Sequence, residues 1–198
     1  GGLGTGFFGL DNILSGLQPS DLVVLASRPS MGKTALGLNM AQNMAKKGYT
    51  VGVISLEMSK EQLVERMFCS LLSVDSWKMR TGRLTDDDFS KIGAIMDELN
   101  TMKIYIDDSV GNSIAELKAK ARRLKMESGL DMLVIDYLQL MNAGGNFNSS
   151  YQSNRVHEIS EISRSLKALA RDLSIPILAL SQLSRAVESR VPQIPRLA

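Results

Sequence analysis

Residues 22–34 read LVVLASRPSMGKT, and this stretch decides the fold. An apolar run of strand length leads into Ser27–Thr34, whose last three positions match the phosphate-loop pattern G-x-x-x-x-G-K-[ST]. Ser27 stands where that pattern has its first Gly. Apolar residues recur at helical spacing after Thr34, so the stretch has the strand–turn–helix context of such a loop. This context favours a phosphate loop over an ordinary corner between a strand and a helix.

The predicted loop carries residue types suited to phosphate chemistry. Its backbone N–H groups and the positive end of the following helix would receive phosphate oxygens. Lys33 would reach the β- and γ-phosphates of ATP, and the Thr34 hydroxyl would hold Mg²⁺. The predicted nucleotide-binding residues are Ser27, Arg28, Pro29, Ser30, Met31, Gly32, Lys33 and Thr34. ATP and Mg²⁺ are therefore the expected cofactors.

The composition is that of an ordinary globular domain of 198 residues, 44% of them hydrophobic and 22% charged. With 23 basic and 21 acidic side chains, the net charge of +2 is too weak to indicate nucleic-acid binding by itself. No apolar run has the length of a membrane span and no secretion signal opens the chain, so we expect no membrane partner. The single Cys69 excludes an internal disulfide framework and favours a cytoplasmic location.

Short apolar segments alternate with longer amphipathic ones along the chain. Strands are predicted at 22–27, 51–56, 103–107, 131–136 and 175–181, and helices at 33–47, 59–73, 85–101, 113–127 and 155–173. This order indicates an α/β fold with a mainly parallel, twisted sheet and helices on both faces. Residues 142–154 are polar and lack periodicity, which predicts a long loop.

Two predicted helix starts carry a capping box, in which a Ser or Thr precedes a Glu or Gln by three residues. Ser59 with Gln62 is one, and Ser113 with Glu116 is the other. A third start, at Thr85, is followed by three Asp residues, which suit the positive end of a helix.

Acidic residues end several predicted strands. Asp136 follows the apolar run MLVI, and a phosphate-loop enzyme needs such a carboxylate to hold Mg²⁺ through its water shell. The alternative is an Asp that caps a turn, but the nearby phosphate loop favours the metal role. Asp107 and Asp108 also end a strand and are the weaker rivals for that role.

Two further polar residues lie at strand ends, where ligands of parallel sheets bind. Glu57 ends the second strand and can orient and deprotonate an attacking water, or it can be an exposed acid at a helix start. Gln182 ends the fifth strand and can contact the γ-phosphate, or it can be an ordinary loop residue. Position alone leaves both pairs of alternatives open.

Several stretches, taken together and in order, resemble one family. They are TGF at 5–7, LD at 10–11, SGLQ at 15–18, ASRPSMGKT at 26–34, SLEMS at 55–59, IDYLQLM at 135–141, residues 158–170, and LSQLSR at 180–185. The chain resembles the C-terminal, RecA-like motor domain of DnaB-type replicative DNA helicases over nearly its whole length. That family allows small residues other than Gly at the position of Ser27.

The resemblance implies roles for named residues. Lys33 and Thr34 would bind nucleotide and Mg²⁺, Asp136 would be the metal-binding acid, Glu57 the catalytic base and Gln182 the γ-phosphate sensor. Glu57, Lys33 and Gln182 are thus the expected catalytic set. The resemblance also implies a homo-hexameric ring that hydrolyses ATP at subunit interfaces and moves 5′ to 3′ on single-stranded DNA. Primase and a helicase loader are the further expected partners.

The resemblance also predicts what this chain lacks. We expect one truncated RecA-like ATPase domain over residues 1–198, with a linker-like opening segment over about 1–20. The family's trans-acting arginine would lie beyond Ala198, and such an arginine contributes several powers of ten to turnover. We therefore expect this piece to bind nucleotide but to hydrolyse it weakly.

The resemblance to RecA-like domains further implies that the loops after the fourth and fifth strands, at 142–155 and 183–198, face the central channel and contact DNA. Arg155, Arg185 and Arg190 are the candidate phosphate contacts, and ordinary surface arginines are the alternative.

Two rival functions remain: a RecA- or RadA-like recombination ATPase, and a nucleotide-gated binding module without turnover.

Overall fold

The computed structural model describes residues 2–4, 6, 11, 16–27, 32–74, 76–111, 113–136 and 151–182. Its elements are β1 (Leu22–Ser27), α1 (Lys33–Lys46), β2 (Val51–Ser55), α2 (Lys60–Leu72), α3 (Ser76–Arg80), α4 (Asp86–Thr101), β3 (Ile104–Asp107), α5 (Ile114–Ser128), β4 (Met132–Asp136), α6 (Tyr151–Leu173) and β5 (Ile177–Gln182). All five predicted strands and all five predicted helices are present, with ends shifted by a few residues.

Two local expectations needed correction. The five-residue helix α3 was not predicted, because it is too short to show a helical period. Helix α6 begins at Tyr151, so residues 151–154 are helical although the sequence predicted a loop over 142–154. Residues 142–150 of that loop lie outside the described part of the chain.

The five strands form one parallel sheet in the order β1-β5-β4-β2-β3, which confirms the predicted fold class. Strand β4 lies at the centre, and each of its five residues is buried. Burial on both faces explains why this strand reads as a continuous apolar run and does not alternate with polar residues.

Alternate residues of the central strands enter two separate cores, one on each face of the sheet. Leu133 and Ile135 face the helices α5 and α6, whereas Met132 and Val134 face α1 and α2. Helix α1 lies especially close to the sheet, because a Cβ added at Gly37 would be 2.8 Å from Cδ1 of Leu180. This close packing holds the start of α1 at the carboxyl ends of the strands.

The helix starts follow the predicted capping. Gln62 N–H donates to Oγ of Ser59 at 3.2 Å, and Ser59 N–H donates to Oε1 of Gln62 at 3.0 Å, so the first predicted capping box is confirmed. Thr85 forms the same reciprocal pair with Asp88. At Ser113 half of the box is present: its hydroxyl accepts from Glu116 N–H at 3.4 Å.

Part of the opening segment, expected to be linker-like, packs against the domain. Leu3 and Leu17 form an antiparallel bridge, and Leu17 is 1% exposed in the core beside α1. In the part of the chain that the structure describes, no helix is long and apolar enough to span a bilayer.

Candidate functional site

The carboxyl ends of four parallel strands meet at one edge of the sheet, and the register places polar positions side by side there. Ser27, the last residue of β1, is paired with Gln182, the last residue of β5. Ser55, the last residue of β2, is paired with Asp136, the last residue of β4. The strand-end residues identified from the sequence therefore converge on one edge.

Gly32 begins helix α1 in a backbone conformation that favours glycine. Its φ of 70° and ψ of 29° lie in the left-handed region, where a Cβ is strained. Its carbonyl accepts the first helical hydrogen bond, from Leu36 N–H at 3.0 Å. Lys33 and Thr34 thus stand in the first turn of α1, and residues 28–31 of the predicted loop lie outside the described part of the chain.

Both oxygens of the Asp136 carboxylate are engaged by that first turn. Lys33 Nζ donates to Oδ1 at 2.9 Å, and the Thr34 hydroxyl donates to Oδ2 at 2.7 Å. The carboxylate is 3% exposed and the Lys33 side chain 13% exposed. A buried carboxylate needs such a cation and donor, so the three side chains form one mutually dependent cluster.

Glu57 stands at the edge of this cluster. Its Oε2 lies 4.0 Å from Lys33 Nζ, and its side chain is 54% exposed. Lys33 is therefore placed between two carboxylates, one buried and one open to water. The structure brings together Lys33, Thr34, Asp136 and Glu57, as the sequence predicted.

The rival acids at the end of β3 have other partners. Asp107 accepts hydrogen bonds from Lys120 Nζ at 2.9 Å and from Ser109 N–H at 2.8 Å. Burial raises the pKa of Asp107, but these hydrogen bonds and the Lys120 charge outweigh it, so the pKa lies below its ordinary value. Asp108 Oδ2 accepts from Lys60 N–H at the start of α2, at 2.8 Å. These partners lie outside α1, whereas Asp136 contacts the first turn of α1 through Lys33 and Thr34, and this position favours Asp136 for the metal role.

The Thr34–Asp136 pair fits Mg²⁺. A hydroxyl and a carboxylate are hard oxygen ligands, and Mg²⁺ is commonly held by one or two carboxylates together with phosphates and waters. Among the residues that the structure describes, no three His, Cys, Asp or Glu side chains group into a protein-only metal site.

Other predicted site residues are placed only in part. Gln182 and Ser27 have defined strand positions. Arg155 was predicted on the loop 142–155, but it lies within helix α6, which begins at Tyr151. The side chains of these three residues lie outside the described part of the structure. Arg185 and Arg190 fall outside the described residues. The proposed sensor and DNA-contact roles of these residues remain predictions.

One residue at this edge, Ser55, was not predicted from the sequence to have a role. Its buried hydroxyl donates to the Met58 carbonyl at 2.7 Å and accepts from Met58 N–H at 3.1 Å. It thereby closes the turn that carries Glu57. The sequence feature that could have identified Ser55 is a small hydroxyl residue at the end of an apolar strand, two positions before an acidic residue.

A five-stranded parallel sheet with helices on both faces, and with polar strand ends gathered beside the start of α1, defines a RecA-like domain. The chain belongs to the DnaB-like helicase C-terminal domain family, whose model matches residues 2–198. The family resemblance seen in the sequence is confirmed.

Comparison with individual proteins agrees with this family. The chain is 50% identical to the replicative DNA helicase DnaB of Geobacillus stearothermophilus and 48% identical to the replicative DNA helicase DnaC of Bacillus subtilis (strain 168). Each match covers the whole of this chain and 43% of the relative, so the chain spans less than half the length of these curated relatives.

Solved structures show the same fold. One, of a DnaB-like replicative helicase and its interactions with primase, matches with a TM-score of 0.87 at 36% identity and covers 100% of this chain and 47% of that one. Another, of an ATPase domain, matches with a TM-score of 0.86 at 36% identity and covers 100% of this chain and 69% of that one.

Proposed function

We propose that this chain is the ATP-hydrolysing motor domain of a replicative DNA helicase. The observation that carries the proposal is the contact of Lys33 and Thr34 with the buried carboxylate of Asp136, at 2.9 Å and 2.7 Å. Relatives named replicative DNA helicase, at 50% and 48% identity, support the assignment of this site to a helicase motor.

In this proposal the triphosphate of ATP lies against residues 27–34 at the start of α1. Lys33 exchanges part of its contact with Asp136 for the β- and γ-phosphates, since its ammonium group already faces the site. Thr34 and Asp136 would hold Mg²⁺, which would neutralise charge on the phosphate oxygens. The positive end of the α1 dipole adds to the same effect.

Glu57 acts as the general base in this proposal. A base must be close to the phosphates and open to water, and Glu57 is 4.0 Å from Lys33 Nζ and 54% exposed. Gln182, whose strand lies between those of Ser27 and Asp136, senses the γ-phosphate. Loss of that phosphate would then be transmitted to the chain after β5.

The substrate and partners proposed for the intact protein follow from the family. We propose a homo-hexamer that translocates on single-stranded DNA in the cytoplasm, with Arg155, Arg185 and Arg190 as candidate phosphate contacts. The solved DnaB-like helicase described with its primase interactions supports a primase as partner. A helicase loader is the remaining proposed partner.

The decisive experiment is Glu57→Gln in the intact protein. Loss of a general base lowers turnover by roughly 10²–10⁴-fold. We expect ATP hydrolysis and unwinding of a forked duplex to fall by that factor, while the affinity for a fluorescent ATP analogue stays within about twofold. Glu61→Gln is the matched control, because Glu61 is an exposed acid in the first turn of α2 and should leave turnover unchanged.

The rival functions make different predictions for the same protein. A nucleotide-gated binding module would bind ATP and show no turnover for Glu57→Gln to remove. A recombination ATPase would lose hydrolysis in Glu57→Gln, but it would assemble as filaments and fail to unwind the fork before any mutation. Turnover that survives Glu57→Gln would assign the base to another residue.

A further inference from the structure

In the turn between β2 and α2, residues 55–58, a side chain makes the hydrogen bonds that join the two ends of the turn. Ser55 is 1% exposed, and its hydroxyl makes two hydrogen bonds across the turn, to the carbonyl of Met58 at 2.7 Å and from its N–H at 3.1 Å. Glu57 lies inside this closed turn. One serine thus satisfies both polar backbone groups of the residue that follows the proposed base.

The same turn is joined to the strand that carries Asp136. Leu56 N–H donates to the Asp136 carbonyl at 2.7 Å, one step beyond the paired residues Ser55 and Asp136. The parallel ladder therefore continues into the turn. Asp136 also contacts Lys33 and Thr34, so these bonds hold the backbone next to Glu57 in a defined position relative to the proposed phosphate site.

The far end of the turn is held by the start of α2. The reciprocal bonds of Ser59 and Gln62 define the first turn of that helix, and Asp108 Oδ2 accepts from Lys60 N–H at 2.8 Å. These bonds fix the chain after the turn but make no contact across it. The hydroxyl of Ser55 is the group that spans the turn itself.

The Glu57 side chain shows little anchoring of its own. It is 54% exposed, and its approach to Lys33 Nζ is 4.0 Å, longer than a hydrogen bond. A half-exposed carboxylate with so long a contact takes its position mainly from its backbone. The conformation of the turn therefore decides where the carboxylate stands.

We propose that Ser55 is a positioning residue for ATP hydrolysis, acting through Glu57. This inference rests on the proposed function, in which Glu57 is the general base. Ser55→Ala removes both bonds across the turn and leaves every side chain of the Lys33–Thr34–Asp136 cluster in place. A displacement of about 1 Å in a catalytic group can cost around 100-fold in rate, so we expect kcat to fall by about 10-fold to 100-fold.

The test compares Ser55→Ala, Glu57→Gln and the double variant in the intact protein by steady-state hydrolysis of radiolabelled ATP, with single-turnover measurements to isolate the chemical step. We expect Ser55→Ala to lower kcat with KM and the affinity for a fluorescent ATP analogue unchanged within about twofold. In the Glu57→Gln background, Ser55→Ala should have no further effect, because the residue acts through a base that is already gone.

Ser113→Ala is the matched control. Ser113 also accepts from a backbone N–H, that of Glu116, at the start of α5, and its loss should leave kcat unchanged. Ser55→Cys is the second variant: its thiol has the same connectivity, is somewhat larger, and is a weaker donor and acceptor, so it should give an intermediate kcat. If Ser55→Ala does not fold, Ser55→Cys alone and in the Glu57→Gln background supplies the same comparison.

Three results would overturn the inference while leaving the proposed function intact. They are an unchanged kcat in both Ser55 variants, a loss of nucleotide affinity without loss of kcat, and an equal loss in the Glu57→Gln background. If Glu57→Gln alone keeps full turnover, the proposed base is wrong, and the inference about Ser55 falls with it.

Discussion

Two strand-end aspartates in this domain have nearly the same partners and different surroundings. Asp136 and Asp107 each accept from a lysine at 2.9 Å, Lys33 and Lys120 respectively. Each also accepts from a hydroxyl group, that of Thr34 at 2.7 Å in one case and that of Ser109 at 2.8 Å in the other. An inventory of contacts does not distinguish the two sites.

Their places in the fold do distinguish them. Asp136 ends the central strand β4 and is 3% exposed, whereas Asp107 ends the edge strand β3 and is 33% exposed. The partners of Asp136 lie in the first turn of a 14-residue helix, whose dipole favours anions there. The lysine of Asp107 lies in the middle of α5. An Asp–Lys–hydroxyl group becomes a candidate phosphate site through its position, not its composition.

The largest expected contrast is in turnover when each lysine is removed. Lys33→Ala takes a cation from the proposed phosphate site, and loss of one such stabilising group costs roughly 10²–10³-fold in kcat. Lys120→Ala removes the same side chain from the Asp107 pair and should leave kcat unchanged. Steady-state ATPase assays of both variants in the intact protein check this. Equal losses of kcat in the two variants would show that the Asp136 and Asp107 sites do not differ in their contribution to turnover.

The next contrast concerns metal affinity. Asp136→Asn replaces the charged carboxylate of the proposed Thr34–Asp136 metal site with a neutral amide. We therefore expect the affinity for Mn²⁺ in the presence of ADP to fall by about 10-fold to 100-fold. Asp107→Asn is the control and should bind Mn²⁺ as the unmodified protein does. Electron paramagnetic resonance of free Mn²⁺ measures both. If Mn²⁺ affinity fell only in Asp107→Asn, the metal would instead bind at Asp107, at the end of the edge strand β3.

The smallest contrast is in stability against pH. Because the pKa of Asp107 is lowered in the folded state, the pair with Lys120 stabilises the fold above the unfolded pKa of about 3.9. That contribution shrinks as pH falls from about 5 and is lost below the folded pKa. Since both side chains are about one-third exposed, Asp107→Asn should cost about 1 kcal/mol or less at pH 7.

Urea unfolding of Asp107→Asn and the unmodified protein between pH 3 and 7 tests this last prediction. The difference in unfolding free energy should narrow toward acid pH, because the carboxylate of the unmodified protein becomes protonated. A difference that is constant with pH would assign the effect to the hydrogen bonds of Ser109 and not to charge.

Much of the fold was predictable because its signals are local. The boundaries of β1 and α1 agree with the strand–turn–helix pattern to within a residue, and the Ser59 capping box is present as predicted. Helix α3 was missed because five residues give no period. The early start of α6 was missed because its first turn is polar and follows a polar segment, so no change of pattern marks the boundary.

The candidate site was predictable as a list of residues and less so as a set of contacts. Lys33, Thr34, Asp136 and Glu57 were all named from motifs and strand ends. Ser55 was not, because its two hydrogen bonds across the turn depend on a turn conformation that its place at a strand end does not by itself predict. The sequence already favoured Asp136 over Asp107, and the order of the strands in the sheet supplied the physical reason: β4 is central and β3 lies at the edge.

The sequence by itself determined most of the elements, the glycine at the start of α1 and the family. The elements depend on backbone hydrogen bonds and side-chain periods within a few neighbouring residues, and the family was evident from motifs spread along the chain. Only the tertiary structure decided that Thr34 meets Asp136, 102 positions later in the chain. That contact requires β4 to lie at the centre of the sheet and α1 to pack closely against β5, and both depend on burial of the two faces at once.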